Sequence, residues 1–166
     1  AWSILVGAGI LAAEAHTRAD AHRQLDAHQS FLVAPSAPNL RLAALDFTML
    51  ASDMVWIDTV LEFGYRFPRN ELTPEVVEWL GRSVMAVVEL DPRWRTAAMY
   101  GGAILRVCES PEWTLRIFEA GAKNLPDEQY FPFAVGMVYY LELEDPVTAA
   151  DWVAKAARIP DRKSTR

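Results

Sequence analysis

With 166 residues, the chain suits one domain of ordinary size, and its 52% hydrophobic residues can form a core, which excludes a largely disordered polymer. A net charge of −6 argues against a nucleic-acid partner, because such a partner selects for a basic face. The single cysteine, Cys108, excludes an intrachain disulfide framework and a zinc site built on cysteines.

The chain opens with AWSILVGAGILAA, thirteen residues without a charge. A bilayer span takes about 20 apolar residues. The run therefore reads as the C-terminal part of a signal-anchor helix, with Trp2, Ile4, Leu5, Val6, Ile10 and Leu11 meeting lipid. A buried or partner-docked helix, or the end of a signal peptide, is the competing reading. EAHTRADAHRQLDAHQSF extends the helix as a polar, alanine-rich stretch, so that residues 1–31 form a membrane-anchor region. The prolines of APSAP make 32–39 a linker. Residues 40–160 form the helical domain, and 161–166 a polar tail.

In the helical domain Leu50, Met54, Ile57 and Leu61 recur at helical spacing. Trp56, Val60 and Phe63 widen that face, which predicts a deeply buried helix over 47–63 with a stop at Gly64. YRFPRNEL follows as a loop. Thr73-Pro74-Glu75 is a helix start, with a capping hydroxyl, proline at the first helical position and an acid behind it. That helix runs to Leu90, and Pro92 ends it. Two further pairs follow: a helix from about Arg93 and one from Ser110-Pro111, then YFPFAVGMVYYLELE and one from Asp145-Pro146. No segment alternates as a half-buried strand does.

Pro92, Pro126 and Pro160 are separated by 34 and 34 residues, and Gly102 and Gly136 by 34. Each interval holds two helices of about four turns, and 34 is the period of a helix–turn–helix repeat. Gly136, Tyr139, Ala149, Trp152 or Val153, Ala156 and Pro160 follow the small–aromatic–small–proline pattern of the tetratricopeptide family with a one-residue slip. Gly102, Phe118, Ala122 and Pro126 follow it in the preceding unit, with Leu105 where tyrosine is usual. Residues 93–160 thus resemble that family well, and 45–92 loosely. LASDMVWIDTVLEFGY and ELDPRWRTAAMYGGAIL are also similar to bacterial tetratricopeptide-like proteins carrying an N-terminal hydrophobic segment. The resemblance implies an all-α fold of helical-hairpin repeats, about three helix pairs, preceded by a transmembrane helix. The glycines would let the two helices of one unit approach closely.

In such stacks the first helix of each pair lines the concave face. The resemblance therefore places Thr96, Met99, Ala103 and Arg106 on it in one unit, and Tyr130, Phe133, Met137 and Tyr140 in the next. Methionine and aromatics suit a groove that holds an apolar segment of another protein. The competing reading makes this stripe part of the core.

Other constellations are weak. His16, His22 and His28 are six residues apart and share no helical face. Asp127/Glu128 and Glu144/Asp145 lie at turns, where they cap helices. Cys108 reads as a packed thiol. The expectation is a non-enzymatic scaffold or accessory subunit of a membrane complex, without cofactor or metal. It is tethered by its N-terminal helix, with the helical domain on the periplasmic side and a protein partner on the stripe. The alternative is a ligand-binding or enzymatic domain that uses the stripe as a pocket.

Overall fold

A computed structural model describes Pro38, Leu40 and residues 47–160. The anchor region, the three histidines, most of the linker and the tail lie outside the described residues. Among the described residues there are no strands. The complete helices are α1 (Thr48–Arg66), α2 (Pro74–Leu90), α3 (Arg95–Val107), α4 (Pro111–Asn124), α5 (Tyr130–Leu141) and α6 (Pro146–Ala157). Each odd-numbered helix folds back on the next, giving three consecutive hairpins, and neighbouring hairpins meet through α2 with α3 and α4 with α5. No helix of the described residues is long and apolar enough to cross a membrane.

Local chemistry accounts for the hairpin turns. Each second helix starts with proline at its first position: Pro74, Pro111 and Pro146. The preceding Thr73 accepts a hydrogen bond from the Val76 amide, and Asp145 accepts from the Val147 and Thr148 amides. Ser110 makes no such side-chain bond. Just before these caps the chain turns through the left-handed region at Asn70, Glu109 and Glu144, with φ of 56°, 54° and 52°. After Asn70 and Glu109, the amides of Glu71 and Ser110 reach five residues back, to the carbonyls of Arg66 (3.2 Å) and Leu105 (3.1 Å). This satisfies carbonyls that a helix end leaves unpaired. After Glu144 the Asp145 amide reaches one residue further, to Tyr139 (2.9 Å).

The core runs along α2, α4 and the inner sides of α3 and α5. Val76, Leu80, Val84, Val87, Leu105, Ile117, Phe131, Val135 and Val138 are inaccessible or nearly so. Glycines set the spacing of these layers. A Cβ on Gly102 would collide with Phe118 of its own hairpin, and one on Gly136 would meet the Ala149 carbonyl oxygen at 3.1 Å. Both positions therefore bring the helices of one hairpin close, as their spacing predicts. Gly101 faces the other way, and its missing Cβ leaves room for Val84 of the preceding hairpin. Consecutive helical residues point about 100° apart, so this glycine pair serves two neighbours at once.

Two expectations for α1 are overturned. The face of Leu50, Met54, Ile57 and Leu61 is not buried: these residues are 57%, 62%, 55% and 65% exposed. Val60 is exposed too, and Trp56 and Phe63 are half-buried. The residues that α1 buries are Ser52, Thr59 and Arg66, spaced seven apart. Small residues of α1 make the described contacts with α2. Ser52 Oγ donates to the Val87 carbonyl (3.3 Å), and Ala51 packs with Leu40 against Ala86 and Leu90. Small residues fit this contact, whereas leucine or methionine would hold the helices apart. Thr59 turns its hydroxyl back to the Val55 carbonyl (2.6 Å), and Arg66 pairs with Glu62 one turn earlier, so neither brings an unpaired group inside.

Gly64 is also not a stop. The helix continues to Arg66 and tightens into a 3-10 turn over Phe67–Arg69, ending at left-handed Asn70. Gly64 has open space around its Cα. Phe67 before Pro68 keeps helical geometry (φ −55°, ψ −50°), but Pro68 has no N–H to continue the α-helical ladder, and the turn closes at left-handed Asn70.

Candidate protein-docking face on the first helices

Long side chains bridge α3 and α5 at both ends. At the N-terminal ends Arg95 pairs with Glu128 through two nitrogens. At the C-terminal ends Arg106 Nε lies 2.7 Å from Glu142. The partners are 33 and 36 residues apart, close to one repeat. Glu128 is thus drawn into an ion pair, and no side chain caps α5, which corrects the reading of Asp127/Glu128 as a cap. Asp145 does cap α6, and the hydrogen bonds from Thr148 hold its carboxyl below the usual range.

Of the eight stripe residues Arg106 forms one of these bridges and the other seven lie between them, and none of the eight is buried. Thr96, Ala103 and Arg106 are exposed on α3, with Met99 half-buried. On α5, Phe133 and Tyr140 are 47% and 59% exposed, and Tyr130 and Met137 are half-buried. Tyr130 anchors the α5 half. Its ring meets Phe118 edge-on at 5.9 Å and Phe131 at 5.4 Å. Burial raises its phenol pKa, and Arg106 and Arg95 counter that shift. Those two cations belong to α3 and pair with Glu128 and Glu142 at the two ends of α5. The opposite sides of both helices carry the core residues Ala97, Ala98, Leu105, Phe131, Val135 and Val138.

The sequence reading missed Tyr100, 62% exposed and next to Met99 on the outer side of α3. Its i, i+3 relation to Ala103 was the available signal. It also missed Arg95, Glu128 and Glu142, whose one-repeat offset was the only hint of pairing.

Other chemistry on the described residues is sparse. Burial pushes the Cys108 thiol up to about 11, which leaves it protonated and unreactive at neutral pH. Among the described residues no three of His, Cys, Asp and Glu gather as a metal site. A recess of about 300 Å³ is lined by Arg93, Arg95 and the turn from Asn124 to Glu128, and includes none of the eight stripe residues. On the far side of the stack, Trp113 of α4 lies over Gly81 of α2 and donates from Nε1 to Glu78 (2.8 Å). That bond, with a second from Arg82, holds the Glu78 carboxyl below its usual range. No family model matches the chain, and neither a curated protein nor a solved structure matches it.

Proposed function

We propose that the described helices form a tetratricopeptide-like stack that acts as a non-enzymatic scaffold or accessory subunit of a membrane-associated complex. A partner polypeptide lies across α3 and α5. One observation carries this reading: the eight residues of the stripe are all unburied, on two neighbouring first helices held at both ends by arginine–glutamate pairs. Aromatic rings and methionines between charged rims suit an apolar helix or an extended segment of another protein. The uncharged run at 1–13 supports a membrane tether, with the helical domain on the periplasmic side.

The test is gentle detergent extraction of the chain from its native membrane, followed by identification of co-purifying polypeptides. Tyr140→Ala should weaken retention of the partner about tenfold or more, the scale of an aromatic hot spot, with the far-UV helical signal unchanged. Unfolding of that variant would assign the stripe to the core. Recovery of the native chain without detergent and without any other polypeptide would overturn the tether and the scaffold together.

A further inference from the structure

The outer face of α1 goes beyond this reading, because it lies on a different helix and is used by no contact described so far. Phe47, Leu50, Met54, Ile57 and Leu61 are 70%, 57%, 62%, 55% and 65% exposed. Their spacings of 3, 4, 3 and 4 form a heptad seam, and exposed Gly64 is its next position. The residues that α1 buries, Ser52, Thr59 and Arg66, occupy the heptad position opposite the seam. Met49 and Val60 beside the seam are exposed as well, so the apolar face is broad, but it lacks the rim of lysine or arginine that holds an amphipathic helix on a lipid surface. The charges that border it are Asp53 and Asp58, and α1 has no basic residue before Arg66.

We infer that this seam pairs with the same seam of a second copy, with the two α1 helices antiparallel. Pairing the seam end to end puts Met54 against Ile57, Leu50 against Leu61 and Phe47 against Gly64 of the other copy. Each layer occurs twice about a two-fold axis. The bulkiest residue of the seam thus meets its smallest, and nothing lies within 4 Å of a Cβ built on Gly64. The flanking charges choose the direction. In a parallel pair, Asp53 of one copy would face Asp58 of the other across the seam, and like charges there repel. In the antiparallel pair, Asp53 stands near Val60 and Asp58 near Ala51 of the second copy.

The test uses the full 166-residue chain in mild detergent, with Cys108→Ser as background. Leu50→Cys and Leu61→Cys chains are treated with a short bis-maleimide, separately and mixed. The mixture should give a linked dimer containing one chain of each kind. Either chain alone should give little, because two copies of position 50 stand roughly 16 Å apart along the antiparallel axes. Ile57→Asp should weaken dimerisation in sedimentation equilibrium on the order of 100-fold, since both copies then bury an unpaired charge. Its helicity should not change, because Ile57 is exposed in the single chain. Linking of the Leu50→Cys chain to itself as readily as in the mixture would overturn the antiparallel pair. So would a chain that is monomeric at every concentration, or a dimer indifferent to Ile57→Asp. A monomer whose binding to phosphatidylcholine vesicles drops on Ile57→Asp would give the seam to lipid instead.

Discussion

α1 and α5 are both first helices of hairpins, and they use their two faces in opposite ways. α5 turns Phe131, Val135 and Val138 inward and leaves Phe133 and Tyr140 outside. α1 turns Ser52, Thr59 and Arg66 inward and leaves Leu50, Met54, Ile57 and Leu61 outside. The difference comes from the neighbour. α6 approaches α5 closely at Gly136, where large residues on either side can pack. α2 offers α1 a contact of Ala86, Leu90 and a backbone carbonyl, which small residues fill best. Helical periodicity states that a helix has two faces. Which one goes inside is decided by the surface it meets.

The largest test of this contrast is truncation. Phe131→Ala should cost about 3–5 kcal/mol, because it opens a cavity in a closed layer. Met49→Ala, at a 67% exposed position of α1 beside the seam, should change stability by less than about 0.5 kcal/mol. Urea unfolding monitored by circular dichroism measures both, and comparable losses would mean that α1 is buried in the native molecule.

A smaller test reverses the sign of one substitution between the same two helices. Gly136→Ala should destabilise by about 1–3 kcal/mol, since its Cβ would press on Val153 and the Ala149 carbonyl. Gly64→Ala should stabilise the chain by about 0.5–1 kcal/mol, because the helix gains alanine where space is open. Melting curves at high dilution separate the two, and destabilisation by Gly64→Ala would show a neighbour already in place against α1.

The smallest effect sharpens the contrast at the second helices. The Trp113 hydrogen bond, aided by Arg82, lowers the Glu78 pKa from the usual 4.5. A carboxylate lowered in the folded state contributes stability above its unfolded value, and the contribution is lost as pH falls through the folded value. Stability should therefore decline on acidification below about pH 4.5, with a shallower slope in Glu78→Gln. An unchanged slope in that variant would place the acid sensitivity elsewhere.

What the sequence displayed most clearly was punctuation. Thr73-Pro74, Ser110-Pro111 and Asp145-Pro146 each mark a helix start within two residues, because proline acts locally, aided by a capping side chain at Thr73 and Asp145. The close approaches at Gly102 and Gly136 were legible through their repeat spacing. The left-handed residues were not, since two of the three are glutamates, which carry no such signal. The Arg95–Glu128 and Arg106–Glu142 pairs were hidden because each joins different hairpins. The orientation of α1 was hidden because its apolar face is regular enough to pass for a core face.

Gly101 and Gly102 have one further consequence. They share a single peptide group, which is planar and has no soft torsion of its own. Val84 leans on one side of that group and Phe118 on the other. A shift of α4 against α3 is therefore passed to α2 across one rigid unit, without a compliant loop between them. Trp113 over Gly81 joins α4 to α2 directly beside this path, so the first two hairpins are coupled along two short routes, neither of which passes through a loop.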